Sequence, residues 1–434
     1  MTIRMPARIL LVAVVAALAL PAGSAAAHDE TGPPGGGWTG TTGKSVNFEL
    51  LAHVNPGTGT NADVYGFEGH AYLASWIGQG CLSKGVRVYD LRHPRNPRLV
   101  STFADAASDP TLVGTWTEKV IVQRVHTRWF RGVLAAVSFQ ACSRTDTASF
   151  RGFGVYDVTN PRHPRRLSLY AAPGTRGSHE IWLGSHAGRA YVYTALIRSE
   201  LTTSPTYDPV TNDATVPGRA DFRIVDVSQP TRPRDVGEWG AWRELGIKPN
   251  ADGRANFVHS VRVDDRLRVA YLSYWDLGTV ILDIRHLSRP RYLGRTTPEQ
   301  GATHSAFVTN RGRLLVETHE LLAGLPVYWD ISDPAAPVQL STFSVEGFDD
   351  DSVHDPKVRG NTTFFSWYSL GVVAVDSSRP SRPTLRAQFV PDVDYVNPDF
   401  FCTEPCAQVW GVFVLGDLVL GSDMNSGLYV LRLT

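Results

Sequence analysis

One phrase, a short β-branched run that ends in Asp, returns along the whole of this 434-residue chain. It stands as Gly85-Val86-Arg87-Val88-Tyr89-Asp90 and again as Gly152-Phe153-Gly154-Val155-Tyr156-Asp157. It recurs as Phe222-Arg223-Ile224-Val225-Asp226, Gly278-Thr279-Val280-Ile281-Leu282-Asp283, Val327-Tyr328-Trp329-Asp330 and Gly371-Val372-Val373-Ala374-Val375-Asp376. A seventh copy, Gly427-Leu428-Tyr429-Val430-Leu431, has Arg432 where the Asp stood. Self-similarity of this kind marks a repeat architecture and constrains the fold before any single residue is weighed.

Each repeat holds four runs. The first starts near a His, as in His304-Ser305-Ala306-Phe307-Val308, and the second is apolar, as in Leu314-Leu315-Val316. The Asp-terminated run is third. A corner with paired prolines follows, then a fourth run, as in Pro94-Arg95-Asn96-Pro97-Arg98-Leu99-Val100. Proline cannot donate to a ladder, so it marks the corner. Asp before the corner suits a side-chain bond to the turn backbone. Four strands in each of seven repeats predict an all-β chain, a seven-bladed β-propeller. The last repeat lacks a fourth run, and Val46–His53 reads as the missing strand, closing the ring and removing an open edge. The chain thus divides into residues 1–27, a signal segment; 28–45, a flexible spacer rich in Gly, Pro and Thr; and 46–434, the propeller.

The Asp-ended strand followed by x-x-Pro-x-x-Pro resembles the LVIVD-repeat proteins, a family of exported bacterial propellers. Val409-Trp410-Gly411-Val412 and Ser422-Asp423-Met424-Asn425-Ser426-Gly427 look like the closing blade of its actinobacterial members. The resemblance covers about residues 46–434. It implies the fold and export, and implies no particular activity.

Residues 1–27 have the form of a secretory signal: Arg4 and Arg8, an apolar run from Ile9 to Leu20, then Ala25-Ala26-Ala27. No later stretch is long enough to span a bilayer as a helix. The chain carries 42 basic and 42 acidic side chains; without the signal, 40 face 42, which argues against nucleic acid as a partner. Four cysteines in an exported chain suggest disulfides. Cys402 and Cys406 share a loop, and Cys81 and Cys142 hold equivalent places in adjacent repeats. Pairs 81–142 and 402–406 are expected, though sequence leaves three connectivities open.

Aligning the repeats places His126, His179, His259, His304 and His354 at the start of the first, innermost strand. Five imidazoles would then gather at one mouth of the channel. The other two blades put Asp63 and Trp410 near that position. Loops after the second strands share the mouth and bring Trp76, Trp275, His319, Trp367, Tyr368 and Asp423 to the same face, with long insertions near 140–151 and 195–221. Neutral imidazole suits iron, copper or zinc. One His per inner strand is similar to carotenoid-cleaving oxygenases and selenium-binding-type methanethiol oxidases, without an extended sequence match. His179-Glu180 and His319-Glu320 begin like a zincin motif but lack its second His. Asp349-Asp350-Asp351 reads as a solvated acidic turn.

These residues support three readings. The first is a secreted, monomeric binding protein that presents the His- and aromatic-lined mouth to a small molecule, peptide or cell-surface ligand. The second is a metal-dependent oxidoreductase or hydrolase holding one transition metal ion on three or four of the five histidines. Glu180, Asp276, Glu317 or Asp355 would then orient ligands or move protons. The third is a structural envelope module in which each His only bonds the neighbouring blade.

Overall fold

The computed structural model describes residues 43–76, 81–142, 148–172, 177–196, 220–248, 254–346, 351–397, 402 and 404–434. The signal segment, most of the spacer and much of the 195–221 insertion lie outside these residues. So do Asp349 and Asp350.

Seven antiparallel sheets surround the channel; each is built on four antiparallel strands, and two carry a fifth. The first blade is Asn61–Phe67, His70–Ser75, Val86–Asp90 and Arg98–Phe103. The fourth is Val258–Asp264, Val269–Tyr274, Gly278–Asp283 and Arg291–Arg295. Second and third strands are sandwiched between neighbouring blades, so Val86–Asp90 is buried throughout, and so are five of the six residues of Leu314–His319. Fourth strands lie at the rim and are polar and largely exposed, as in Arg98–Phe103.

The repeated residues are structural devices. In six blades the terminal Asp accepts a bond from the backbone N–H two residues on: Asp90 from Arg92, Asp157 from Thr159, Asp226 from Ser228, Asp283 from Arg285, Asp330 from Ser332 and Asp376 from Ser378, at 2.8–3.0 Å. Glycine before the third strand has an equally local cause. Gly85 (φ +70°) and Gly371 (φ +77°) are left-handed, and a Cβ there would lie 2.2 and 2.0 Å from the carbonyl oxygens of Phe103 and Phe389 on the rim strand.

The ring closes as the sequence predicts. Phe48–Val54 forms the outer strand of the seventh blade, pairing with Gly427–Leu433 from Phe48↔Leu433 to Val54↔Leu428. Lys44–Val46, of which two residues read as spacer, adds a fifth strand to the sixth blade against Thr384–Val390. The N-terminal segment therefore clamps the last two blades. The second blade also has an extra pair of residues, Thr115–Trp116, against Arg131–Ala141. Both expected disulfides are present, Cys81–Cys142 and Cys402–Cys406.

Candidate metal centre

A β-bulge near the start of the inner strand aims side chains into the channel. Register shifts fall at Ser178/Ile181, Val258/Ser260, Thr303/Ser305 and Val409/Gly411. The extra residue in each leaves the ladder, which is how bulges re-aim a side chain. Those residues are His179, His259, His304 and Trp410. His354 holds the equivalent place just before Asp355–Arg359, its N–H bonded to the Ser366 carbonyl at 2.9 Å.

Four imidazoles from blades three to six thus lie in a row. Ring centroids are 4.2 Å apart for His179–His259, 4.2 Å for His259–His304 and 3.9 Å for His304–His354. All four are buried. Nδ1 of His259 lies 3.2 Å from the His304 carbonyl oxygen, and Nδ1 of His304 lies 3.0 Å from that of His354. A carbonyl only accepts, so both Nδ1 atoms carry a proton, and in the neutral ring each Nε2 has the lone pair. His179 Nδ1 is held by Glu118 (2.8 Å) and Gln140 (2.9 Å), which fixes the same tautomer. The Nε2 atoms of His179 and His259 are 2.7 Å apart.

Two carboxylates complete the cluster. Glu320 lies 3.5 Å from His304 Nε2 and 3.8 Å from His354 Nε2, and accepts a bond from the Tyr368 hydroxyl. Burial and the Glu320 carboxylate together push the Tyr368 hydroxyl well above its usual range. Two triads bring their ligand atoms within 4.8 Å of one another: Glu118, His304 and His354, and His259, His304 and Glu320. An aromatic shell surrounds them: Trp410 is 4.1 Å from His354, Trp275 5.1 Å from His259, and Trp116 6.0 Å from His179. Trp76 packs on Trp116 and Trp410.

His126 does not belong to the cluster. It is the last residue of Val120–His126, exposed at the far end of the inner strand. Glu118, just before that strand, takes the second blade's place at the cluster. The inner hairpin of this blade is longer than the others, so alignment on its only His slides the register. The useful signal was the triplet Thr117-Glu118-Lys119, which matches Ser178-His179-Glu180 in polarity. Glu320 follows His319 in a partial zincin-like motif, which gives it no signal of its own.

One layer deeper, Lys119 reaches Glu180 at 2.8 Å, Asp63 at 3.1 Å and Asp355 at 3.5 Å. Burial pushes Glu180 up to about 8 against the pull of Lys119, and raises Asp63 as well. Burial also opposes ionisation of Asp355, but Lys119 and Lys357 outweigh it and hold this carboxyl well below its usual range. A cavity of about 30 Å³ adjoins this layer. Below it the Arg262 guanidinium lies between Trp182 (4.0 Å) and Phe307 (4.2 Å).

The other expected site residues have structural partners away from the cluster. Asp276 bonds the backbone N–H groups of Ala255 and Ala302. Glu317 accepts from Thr279 and Thr296 and faces His319 at 3.2 Å, and His319 Nδ1 lies 2.9 Å from the Gly301 carbonyl. Trp367 fills an interblade core with Phe343 and Phe365. Asp423 holds the final turn through the N–H groups of Asn425 and Ser426.

Fold and site together define a seven-bladed β-propeller with a buried histidine–carboxylate cluster inside one end of its channel. The family model of the LVIVD repeat matches residues 216–239, which include the third strand, corner and rim strand of the third blade. That match covers one repeat of the chain, whose fold is a β-propeller. A search of curated proteins finds no match. Among solved structures the chain is similar to Raptor of Chaetomium thermophilum, at 14% identity and a TM-score of 0.56, covering 91% of this chain and 30% of that one. It also matches the computationally designed Ika8 protein at 10% identity and a TM-score of 0.47, covering 88% of this chain and 99% of that one. The chain spans less than a third of Raptor's length, and that likeness concerns the fold alone.

Proposed function

We propose that this propeller is an exported metal-binding protein that holds one first-row transition ion on the Nε2 atoms of His179, His259, His304 and His354. The approach of His179 and His259 carries this reading. Two imidazole lone pairs 2.7 Å apart repel, and a cation beside them removes the repulsion. Glu118 would orient His179 and raise its basicity, as outer carboxylates do for metal-bound imidazoles. Imidazole with nearby carboxylate suits iron, copper or zinc. The buried aromatic shell excludes bulk water, which disfavours hydrolysis; iron or copper there would supply redox chemistry, and zinc would be structural. An open mouth for a peptide or glycan has less support, because Trp76, Trp116, Trp410 and Tyr368 are themselves buried. Export is supported by the signal-like N-terminus and by two disulfides.

The test is elemental mass spectrometry on protein exported by its host and purified without chelators or a His tag. We expect one equivalent of iron, copper or zinc, lost in the His259→Ala/His304→Ala variant while cooperative unfolding persists. A metal-free protein that takes none up on reconstitution would sink the reading and leave the imidazoles as stitches between blades.

A further inference from the structure

The end of the propeller opposite the histidine cluster carries a distinct chemistry. Every blade is an up-and-down meander, so the turns joining first to second strands all lie at that end, around the channel. Blade two contributes Thr127-Arg128-Trp129-Phe130-Arg131, blade four Arg266-Leu267-Arg268 and blade five Arg311-Gly312-Arg313. These three turns hold six arginines, with Asp264, Asp265 and Asp330 beside them, while the matching turns of blades one and seven carry Glu68 and Asp417, in a chain whose charges balance overall. Two large apolar side chains sit at the tips between the arginines: Trp129 is 46% exposed and Leu267 44%. Arg128 lies 5.6 Å from the Trp129 ring.

The tip of blade two also reaches furthest along the channel axis in strand length. From the Lys119 layer to the end of the inner strand is seven residues in blade two (Lys119 to His126), six in blade three (Glu180 to His186) and four in blade six (Asp355 to Arg359). Against blade six, three further residues of strand extend that tip by roughly 10 Å. Trp129 is anchored there, its N–H bonded to Thr127 Oγ1 at 3.1 Å.

We propose that this end of the propeller docks on an anionic lipid bilayer, with Trp129 and Leu267 entering the headgroup region and the arginines of the three turns neutralising lipid phosphates. Tryptophan and leucine at tips flanked by arginine suit the wet–apolar boundary of a membrane. A soluble polyanion would use the arginines and gain nothing from exposed Trp and Leu. No helix among the described residues is long and apolar enough to cross a bilayer, so the contact is peripheral. The histidine cluster would face away from the lipid. The proposal does not depend on the metal reading.

The test is co-sedimentation of the full chain with vesicles of phosphatidylcholine alone or with phosphatidylglycerol added. We expect binding only to the anionic vesicles, falling steeply with salt. Arg128→Glu, Arg131→Glu, Arg266→Glu and Arg311→Glu together should weaken it about a hundredfold or more. Trp129→Ala with Leu267→Ala should weaken it about tenfold, and should leave binding to heparin, a soluble polyanion, unchanged. All six side chains are exposed, and unchanged thermal unfolding would confirm intact folds. No binding to anionic vesicles at low salt would overturn the proposal. So would vesicle binding indifferent to charge reversal, or vesicle binding that survives loss of Trp129 and Leu267.

Discussion

Lys119, just before the inner strand of blade two, and Glu180, on that of blade three, meet at 2.8 Å inside the channel with both side chains buried. Asp63 and Asp355 approach the same ammonium group from two further blades. One cation therefore ties four blades together at their narrowest point. Lys119→Met would leave buried carboxylates without their partner and should cost about 3–5 kcal/mol. Urea unfolding would read this as a lower midpoint. Adding Glu180→Gln and Asp63→Asn should recover much of the loss, since neutral partners remove the uncompensated charge. A Lys119→Met variant as stable as the parent would refute the assignment.

Asp351 gives a pH dependence with a defined sign. Burial pushes its carboxyl up to about 6, although Ser352 and Leu370 donate backbone bonds to it at 2.8 and 3.3 Å. Between the unfolded value of 3.8 and about 6, the folded state keeps a proton that the unfolded chain has released. The contribution is full below that window and is lost as pH rises through it, by at most about 1.4 kcal/mol per pH unit. Asp351→Asn removes this dependence. The stability of the variant relative to the parent should therefore rise by about 2–3 kcal/mol from pH 4 to pH 7 in paired denaturant titrations. A constant difference across that range would count against the buried carboxyl.

The two disulfides should contribute unequally. Cys81–Cys142 closes a separation of 61 residues and Cys402–Cys406 one of 4. Loop-closure entropy then assigns about 4 kcal/mol to the first and about 2 kcal/mol to the second. Replacing each pair with Ala and comparing unfolding free energies should reproduce that order. A larger loss at 402–406 would mean that the short loop acts through native contacts instead.

The fold was legible because its devices are local and repeated. The Asp-ended strand, the proline corner and the glycine before each third strand are turn chemistry, and turn chemistry is written in adjacent residues. Closure by Phe48–Val54 was legible because one repeat was a strand short. The site was only partly legible. His179, His259, His304 and His354 share a register that nearby strands fix. Glu118 holds the equivalent place in blade two but differs in residue type, and Glu320 joins them through the curvature of the ring, which no spacing in the chain records. Asp276 and Glu317 looked available in sequence, yet each is consumed by bonds to groups 20 or more residues away.

His126 and His354 provide the sharpest test of that register. Both follow the same sequence pattern, an imidazole beside an apolar inner run. His354 is buried, with its Nε2 3.8 Å from Glu320 and its ring 4.1 Å from Trp410, whereas His126 is exposed at the opposite end of its strand. His354→Ala should therefore lower metal content sharply. It should also open a cavity beside Trp410 that costs about 2–4 kcal/mol. His126→Ala should change neither metal content nor stability by a measurable amount, as expected of an exposed position without special contacts. Glu118→Gln should fall between them, because an amide oxygen still accepts from His179 Nδ1–H but supplies no charge. Elemental analysis of the three variants with thermal unfolding of each separates ligand from scaffold. Equal metal loss from His126→Ala and His354→Ala would place the ion elsewhere and return the four imidazoles to a purely structural role.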